Sequence, residues 1–200
     1  MNIMTTPAHR IGDSLVRVVD KNGNPVADKE LVLNQRSHQF LFGSGAFDFL
    51  EYEGKKGDPE RLEKWLALFD YGTLPFYWGT YEPEEGNIPY DSRMDAAKIL
   101  RSNNVTIKGH PLCWHTVCAD WLMKYSDEVI MDKQLARINR DVTAFKGIID
   151  IWDVINEVVI MPVFDKYDNA VTRLCKKYCQ VELVKEVFAA AKAANPEGTI

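Results

Sequence analysis

The stretch "DIWDVINEVV", Asp150 to Val159, reads as a buried strand that ends in a carboxamide and a carboxylate, Asn156 and Glu157. Ionisable groups are costly in such a place unless they are paired or used. One reading is a glutamate entering a largely apolar site, where lost hydration raises its pKa until it holds a proton near neutral pH, as a general acid must. The other is a buried ion pair that ties neighbouring strands together.

Working outward, strand-like and helix-like segments alternate strictly. "QFLFGSGAF" is an apolar run ending in glycines. "DPERLEKWLALFD" follows as a helix capped by Asp58, with Pro59 at its first position and Leu62, Trp65, Leu66 and Phe69 on one face. "YGTLPFYW" is the second strand and "DSRMDAAKILRSNN" the second helix; "VTIKGHPLCWH" is the third strand. "SDEVIMDKQLARINRDVTAFKG" is a helix with a Ser126 cap and Gly147 at its end, and "AVTRLCKKYCQVELVKEVFAAAKAAN" is one long helix stopped by Asn195 and Pro196. Four strand-helix units predict a parallel sheet with helical crossovers. The strands lack polar alternation, which predicts burial on both faces. A doubly wound sheet and a (β/α)8 barrel both meet this description, and both gather functional residues at the C-terminal ends of their strands. Ahead of this domain, assigned to residues 37–200, a segment over residues 1–36 holds Asn22-Gly23 between two alternating runs and predicts a small β-hairpin.

The 200 residues suit one domain with a small appendage. A net charge of −5, from 24 basic and 29 acidic residues with no basic run, argues against a nucleic-acid partner. No stretch has the ~18 consecutive apolar residues of a membrane span. The N-terminus lacks a signal peptide, so the chain as written is expected in the cytoplasm; a secreted or periplasmic protein with an incomplete N-terminus would look the same. The four cysteines, Cys113, Cys118, Cys175 and Cys179, match no common zinc spacing and read as reduced, structural thiols.

Two further motifs bear on function. "GSGAFD", Gly43 to Asp48, starts like a dinucleotide-binding loop but lacks its third glycine and its helix, so close backbone packing is expected there and no cofactor. "GHPLCWH" carries His110 and His115, which five residues apart on a strand point to opposite faces and do not converge on a metal ion. His110, Leu112 and Trp114 share a face instead. An imidazole beside an indole suits a sugar subsite, where the ring is an apolar platform and nitrogens meet hydroxyls; core packing is the alternative.

These segments together resemble glycoside hydrolase family 10, the retaining β-1,4-xylanases and related enzymes. "HQFLFGSGAF", "YWGTYEPEEGNIPYD", "KGHPLCWH" and "IDIWDVINE" occur in the family's order. The resemblance implies a (β/α)8 TIM barrel of which about the first four units are present. It also implies Glu157 as general acid/base, Asn156 on the sugar 2-hydroxyl, and His110, Trp114 and Trp78 lining the same site, with a polysaccharide or oligosaccharide as substrate. The chain departs from the family at Thr73, Leu74, Tyr77 and Val117, positions that bind sugar hydroxyls, so the departures bear on which glycan is bound. A barrel of this class needs about 250 residues, and the family's nucleophile, a glutamate after the seventh strand, has no substitute here. Asp165 and Asp168 read as loop residues, and Glu182 and Glu186 as mid-helix. The expectation is therefore the N-terminal half of a glycosidase; its rivals are an inactive carbohydrate-binding barrel and a metal-dependent barrel hydrolase. The 200-residue chain alone is predicted not to hydrolyse xylan or aryl β-xylosides. Turnover by the purified chain that Glu157→Gln abolishes would reveal a nucleophile in residues 1–200.

Overall fold

The computed structural model describes residues 11–34, 36, 38–50, 57–160 and 166–200. The chain divides into two units, Met1–His38 and Gln39–Ile200. In the first, Gly23 turns the chain with φ +85° and a single antiparallel bridge joins Val19 to Pro25, a tighter and shorter hairpin than the two alternating runs predict.

The second unit is built on four parallel strands in sequential order: β1 (Gly43–Gly45), β2 (Tyr71–Pro75), β3 (Thr106–His110) and β4 (Ile151–Trp152). Between them run α1 (Pro59–Leu68), α2 (Trp78–Tyr81), α3 (Tyr90–Ser102) and α4 (Asp127–Phe145), followed by α5 (Ala170–Tyr178) and α6 (Gln180–Ala194). Caps set the predicted starts. Asp58 accepts from the Glu60 amide, Ser126 from Val129, and Asn169 forms a capping box with Thr172. Beyond β4, Thr199 stands in parallel register with Ile151, at the position of a next strand.

Side-chain direction separates the two candidate architectures. Register pairs Gly72 with Ile107, Leu74 with Gly109, and Gly109 with Trp152, so these residues share one face. Trp65 of α1 lies over Gly72, and Phe145 of α4 stacks near Trp152 and Phe76. Helices before and after β3 thus cover the same face. A doubly wound sheet puts them on both, whereas a (β/α)8 barrel keeps them all outside.

The opposite face carries Tyr71, Thr73, Thr106, Lys108, His110, Ile151 and Asp153, all half-buried. Burial on both faces, expected from the strand composition, is therefore found on the helix side alone. The other side is the one a closed barrel turns inward. β1 is exposed, and Phe40, Leu41 and Phe42 before it are exposed as well, because β1 is the edge of this sheet.

Two glycines are needed for close approach. A Cβ on Gly43 would stand 2.1 Å from the Tyr71 carbonyl oxygen, which accounts for "GSGAFD" as packing. A Cβ on Gly109 would enter the Trp152 indole at 2.2 Å. The long final helix is also corrected. Cys179, at φ +61° and ψ 160°, breaks it into α5 and α6, leaving Cys175 buried and Cys179 exposed instead of side by side. The buried apolar residues of α5 (Ala170, Val171, Leu174, Cys175) and of α6 (Leu183, Val187, Ala191) would lie on faces roughly 180° apart in one continuous helix at ~100° per residue. The break lets both face α4. No helix among the described residues is long and apolar enough to cross a membrane.

Gly109→Ala is predicted to destabilise the chain by about 1–3 kcal/mol, the usual cost of overpacking a filled interior. Urea unfolding followed by tryptophan fluorescence measures it, and an unchanged midpoint would mean that Trp152 yields freely.

Candidate active site

β3 ends at His110 because Pro111 follows and cannot donate the next ladder bond. Strict alternation ends with it. Leu112 therefore turns into the core, fully buried, while His110 and Trp114 remain together with ring centroids 6.5 Å apart. The three do not share a face as a regular strand would require. His115 is also buried, and its ring packs on Tyr167 at 5.5 Å. Burial holds the His115 pKa below its ordinary value, with the charge of Glu157 opposing. Among the described residues no three or more His, Cys, Asp or Glu side chains are grouped as metal ligands.

Asp153, one residue past β4, is the electrostatic centre of the inward face. Its Oδ2 accepts from Lys108 Nζ at 2.8 Å and meets His110 Nδ1 at 2.7 Å. Desolvation pushes the Asp153 pKa up, but hydrogen bonds from His110 and Lys108 outweigh it and hold the carboxyl below the ordinary value. The triad escapes a search for catalytic motifs. Its sequence signal is the spacing of Lys108 and His110, two apart on one strand face, beside "WD" on the next.

Past Asp153 the backbone stays tied to the segment that follows β3, with Leu112 N donating to Asp153 O and Asn156 N to Cys113 O. Asn156 is half-buried, and its carboxamide makes no hydrogen bond among the described residues. Glu157 then takes φ +54° and opens a turn closed by Ile160 N on Glu157 O. Its carboxylate accepts a 2.7 Å hydrogen bond from the indole nitrogen of Trp114. Glu157 is exposed, not desolvated as the strand pattern implies.

Trp78 is the predicted site residue that does not join this group. It is 4% exposed, donates to Glu82 Oε2 at 3.1 Å, and lies edge-on to Trp121 with the Arg137 guanidinium 4.9 Å from its ring centre. One residue earlier, Tyr77 turns the other way, with ring centroids 5.4 Å from Trp114 and 5.7 Å from His110. Asp165 lies outside the described residues. Asp168 precedes the cap of α5, and Glu182 and Glu186 of α6 line a groove with Glu128 and Asp132 of α4, in the helical layer.

Parallel strands with the helices before and after β3 on one face, and polar residues gathered at and past the strands' C-terminal ends, define part of a (β/α)8 barrel protein. The sequence profile of glycosyl hydrolase family 10 matches residues 76–200, and the chain belongs to this family. It is 29% identical over 166 residues to endo-1,4-beta-xylanase 5 of Arabidopsis thaliana, covering 78% of this chain and 28% of that protein. To an endo-1,4-beta-xylanase/feruloyl esterase of Xylanibacter ruminicola it is 26% identical over 160 residues, 72% of this chain and 22% of the relative. Among solved structures, xylanase 10B from Thermotoga petrophila in complex with xylobiose superposes with TM-score 0.61 at 22% identity, over 78% of this chain and 46% of that one. A family 10 structure from Paenibacillus barcinonensis gives TM-score 0.64 at 21% identity, over 80% and 49%. The chain thus spans about half of these solved barrels, and they show the same fold.

Because the Asp153 pKa is lowered in the folded chain, its ion triad stabilises at pH values above the unfolded carboxyl's ~3.9, and that stability is lost as pH falls through the lower folded value. Asp153→Asn is predicted to be less stable than wild type at pH 7 and to lose less stability on acidification below about pH 4. Parallel acid slopes in urea titrations of the two proteins would show that the triad contributes nothing.

Proposed function

We propose that the chain is the N-terminal half of an endo-β-1,4-glycanase of xylanase type, cleaving xylan or a related glycan with retention, with Glu157 as general acid/base. The observation that supports this most is Glu157 itself: a carboxylate at the end of β4, oriented by the Trp114 indole, beside the unengaged carboxamide of Asn156. In the first step Glu157 gives its proton to the leaving oxygen while a second carboxylate attacks the anomeric carbon. In the second step Glu157, now ionised, takes a proton from the water that releases the sugar.

The second carboxylate must stand ~5–5.5 Å from the first. Of the acids after Glu157 among the described residues, Glu182 and Glu186 face the helical layer, so the reading assigns the nucleophile to the other half of the barrel. In residues 1–200 alone Glu157 meets water. In the whole barrel, substrate would exclude that water from Glu157 and the second carboxylate would face it. His110, fixed by Asp153, and Asn156 would hold sugar hydroxyls.

In a protein carrying these residues within a whole family barrel, Glu157→Ala is predicted to lower polysaccharide cleavage by ~10²–10⁴-fold, the usual loss with an absent acid. An aryl xyloside with a very acidic phenol would still form the glycosyl-enzyme, then stall. Azide, which needs no base, would restore turnover and yield a β-glycosyl azide. Equal slowing of activated and natural substrates, with no azide effect, would make Glu157 a structural residue.

A further inference from the structure

The elbow between α5 and α6 places one side chain where helix packing has no need of it. Cys179 holds φ +61° and ψ 160°, a backbone region that a residue with a Cβ occupies at a cost. The next residue, Gln180, is half-buried, and its carboxamide donates to the carbonyl of Val158, directly after Glu157. At the start of α5 the side chain of Asn169 donates to the carbonyl of His115, directly after Trp114. The two residues joined by the Trp114–Glu157 hydrogen bond are thus each held, one peptide away, from either end of the same helix.

α5 suits that task because it is short and anchored. Its residues Ala170–Tyr178 rise by ~1.5 Å each, so the helix has a fixed length of about 13 Å. Ala170, Val171 and Leu174 are buried, and Arg173 donates to Asp127 at 2.9 Å and to the Tyr125 carbonyl at 3.2 Å. The turn at Glu157 is closed within itself by the 3.2 Å bond from Ile160 N to Glu157 O. Gln180 ties that turn to the helical layer, and the strained elbow at Cys179 is what brings Gln180 to it.

We propose that α5 is a strut that sets the spacing of the loops bearing Trp114 and Glu157, with Asn169 and Gln180 as positioning residues that act through the His115 and Val158 carbonyls on the Trp114–Glu157 hydrogen bond. As a statement about catalysis this rests on the glycanase reading of Glu157. The strut works from the helical layer and takes no part in holding the sugar.

Solvent exchange of the tryptophan indole protons, followed by NMR on the 200-residue chain, tests it. Glu157→Ala sets the rate for a Trp114 indole whose bond is lost. Gln180→Met keeps the side chain's length and removes its donor. It is expected to raise Trp114 exchange about two- to tenfold, the range for one lost hydrogen bond. Trp152, whose indole donates to the Ile149 carbonyl in the core, is expected to exchange as in wild type. Gln180→Glu has the same shape but only accepts when ionised, and is expected to match Gln180→Met. A Trp114 rate unchanged in both Gln180 variants, or unmoved by Glu157→Ala, overturns the strut; so does equal acceleration of Trp114 and Trp152, which marks a general loosening of the fold. Each of these leaves the glycanase reading standing, because azide rescue of Glu157→Ala decides that reading without reference to Gln180.

Discussion

The indole of Trp152 packs against the bare backbone of Gly109, and the arrangement of the site follows from that contact. With Trp152 committed to the helix side, pleating turns Asp153 to the opposite face, beside His110 and Lys108. The same contact anchors the aromatic group of Phe76, Phe145 and Trp152, which holds α4 against the strands. Glu157 is four residues further along a segment whose backbone remains bonded to residues 112 and 113. A larger residue at 109 would disturb the packing outside the barrel and the carboxylates inside it together.

Under the strand ends lies a layer of buried charge. Arg137 donates to the carbonyls of Leu112 and Phe76, Gln134 to Leu112, and Arg93 to Pro75. Asp141 balances Arg137 and Arg140, and Arg140 also reaches Glu82. These donors satisfy carbonyls that the ladder leaves free once each strand turns into its loop. Trp78 belongs to this layer, which is why it does not join Trp114 and Glu157.

Much of this was legible in the sequence, for local reasons. Caps at Asp58 and Ser126 and the period-four apolar stripes mark the helices, and "WDVINE" after "GHPLCWH" marks the strand ends where functional groups collect. The choice of a barrel over a doubly wound sheet came from the resemblance to family 10 and not from periodicity, which does not show which side each crossover takes. The break at Cys179 was readable, because the apolar stripe changes face there, but composition alone runs straight through it. The direction of Trp78 was hidden, since the backbone turn at Tyr77 decides it. Gln134, Arg137 and Asp141 fall at helical spacing on α4 and read as a solvated stripe; only the free carbonyls opposite them, distant in sequence, explain their burial. The positive φ of Glu157 is a turn that the surrounding residues do not announce.

Arg137 joins carbonyls from the ends of two different strands through a single planar cation. Its fork has fixed dimensions, so it acts as a gauge block: the spacing between the loop that bears Tyr77 and the loop that bears Trp114 is set from behind, by a side chain that neither ring touches. Pulling those loops apart would strand a buried guanidinium without acceptors. The guanidinium therefore fixes the spacing of the mouth across β2 and β3.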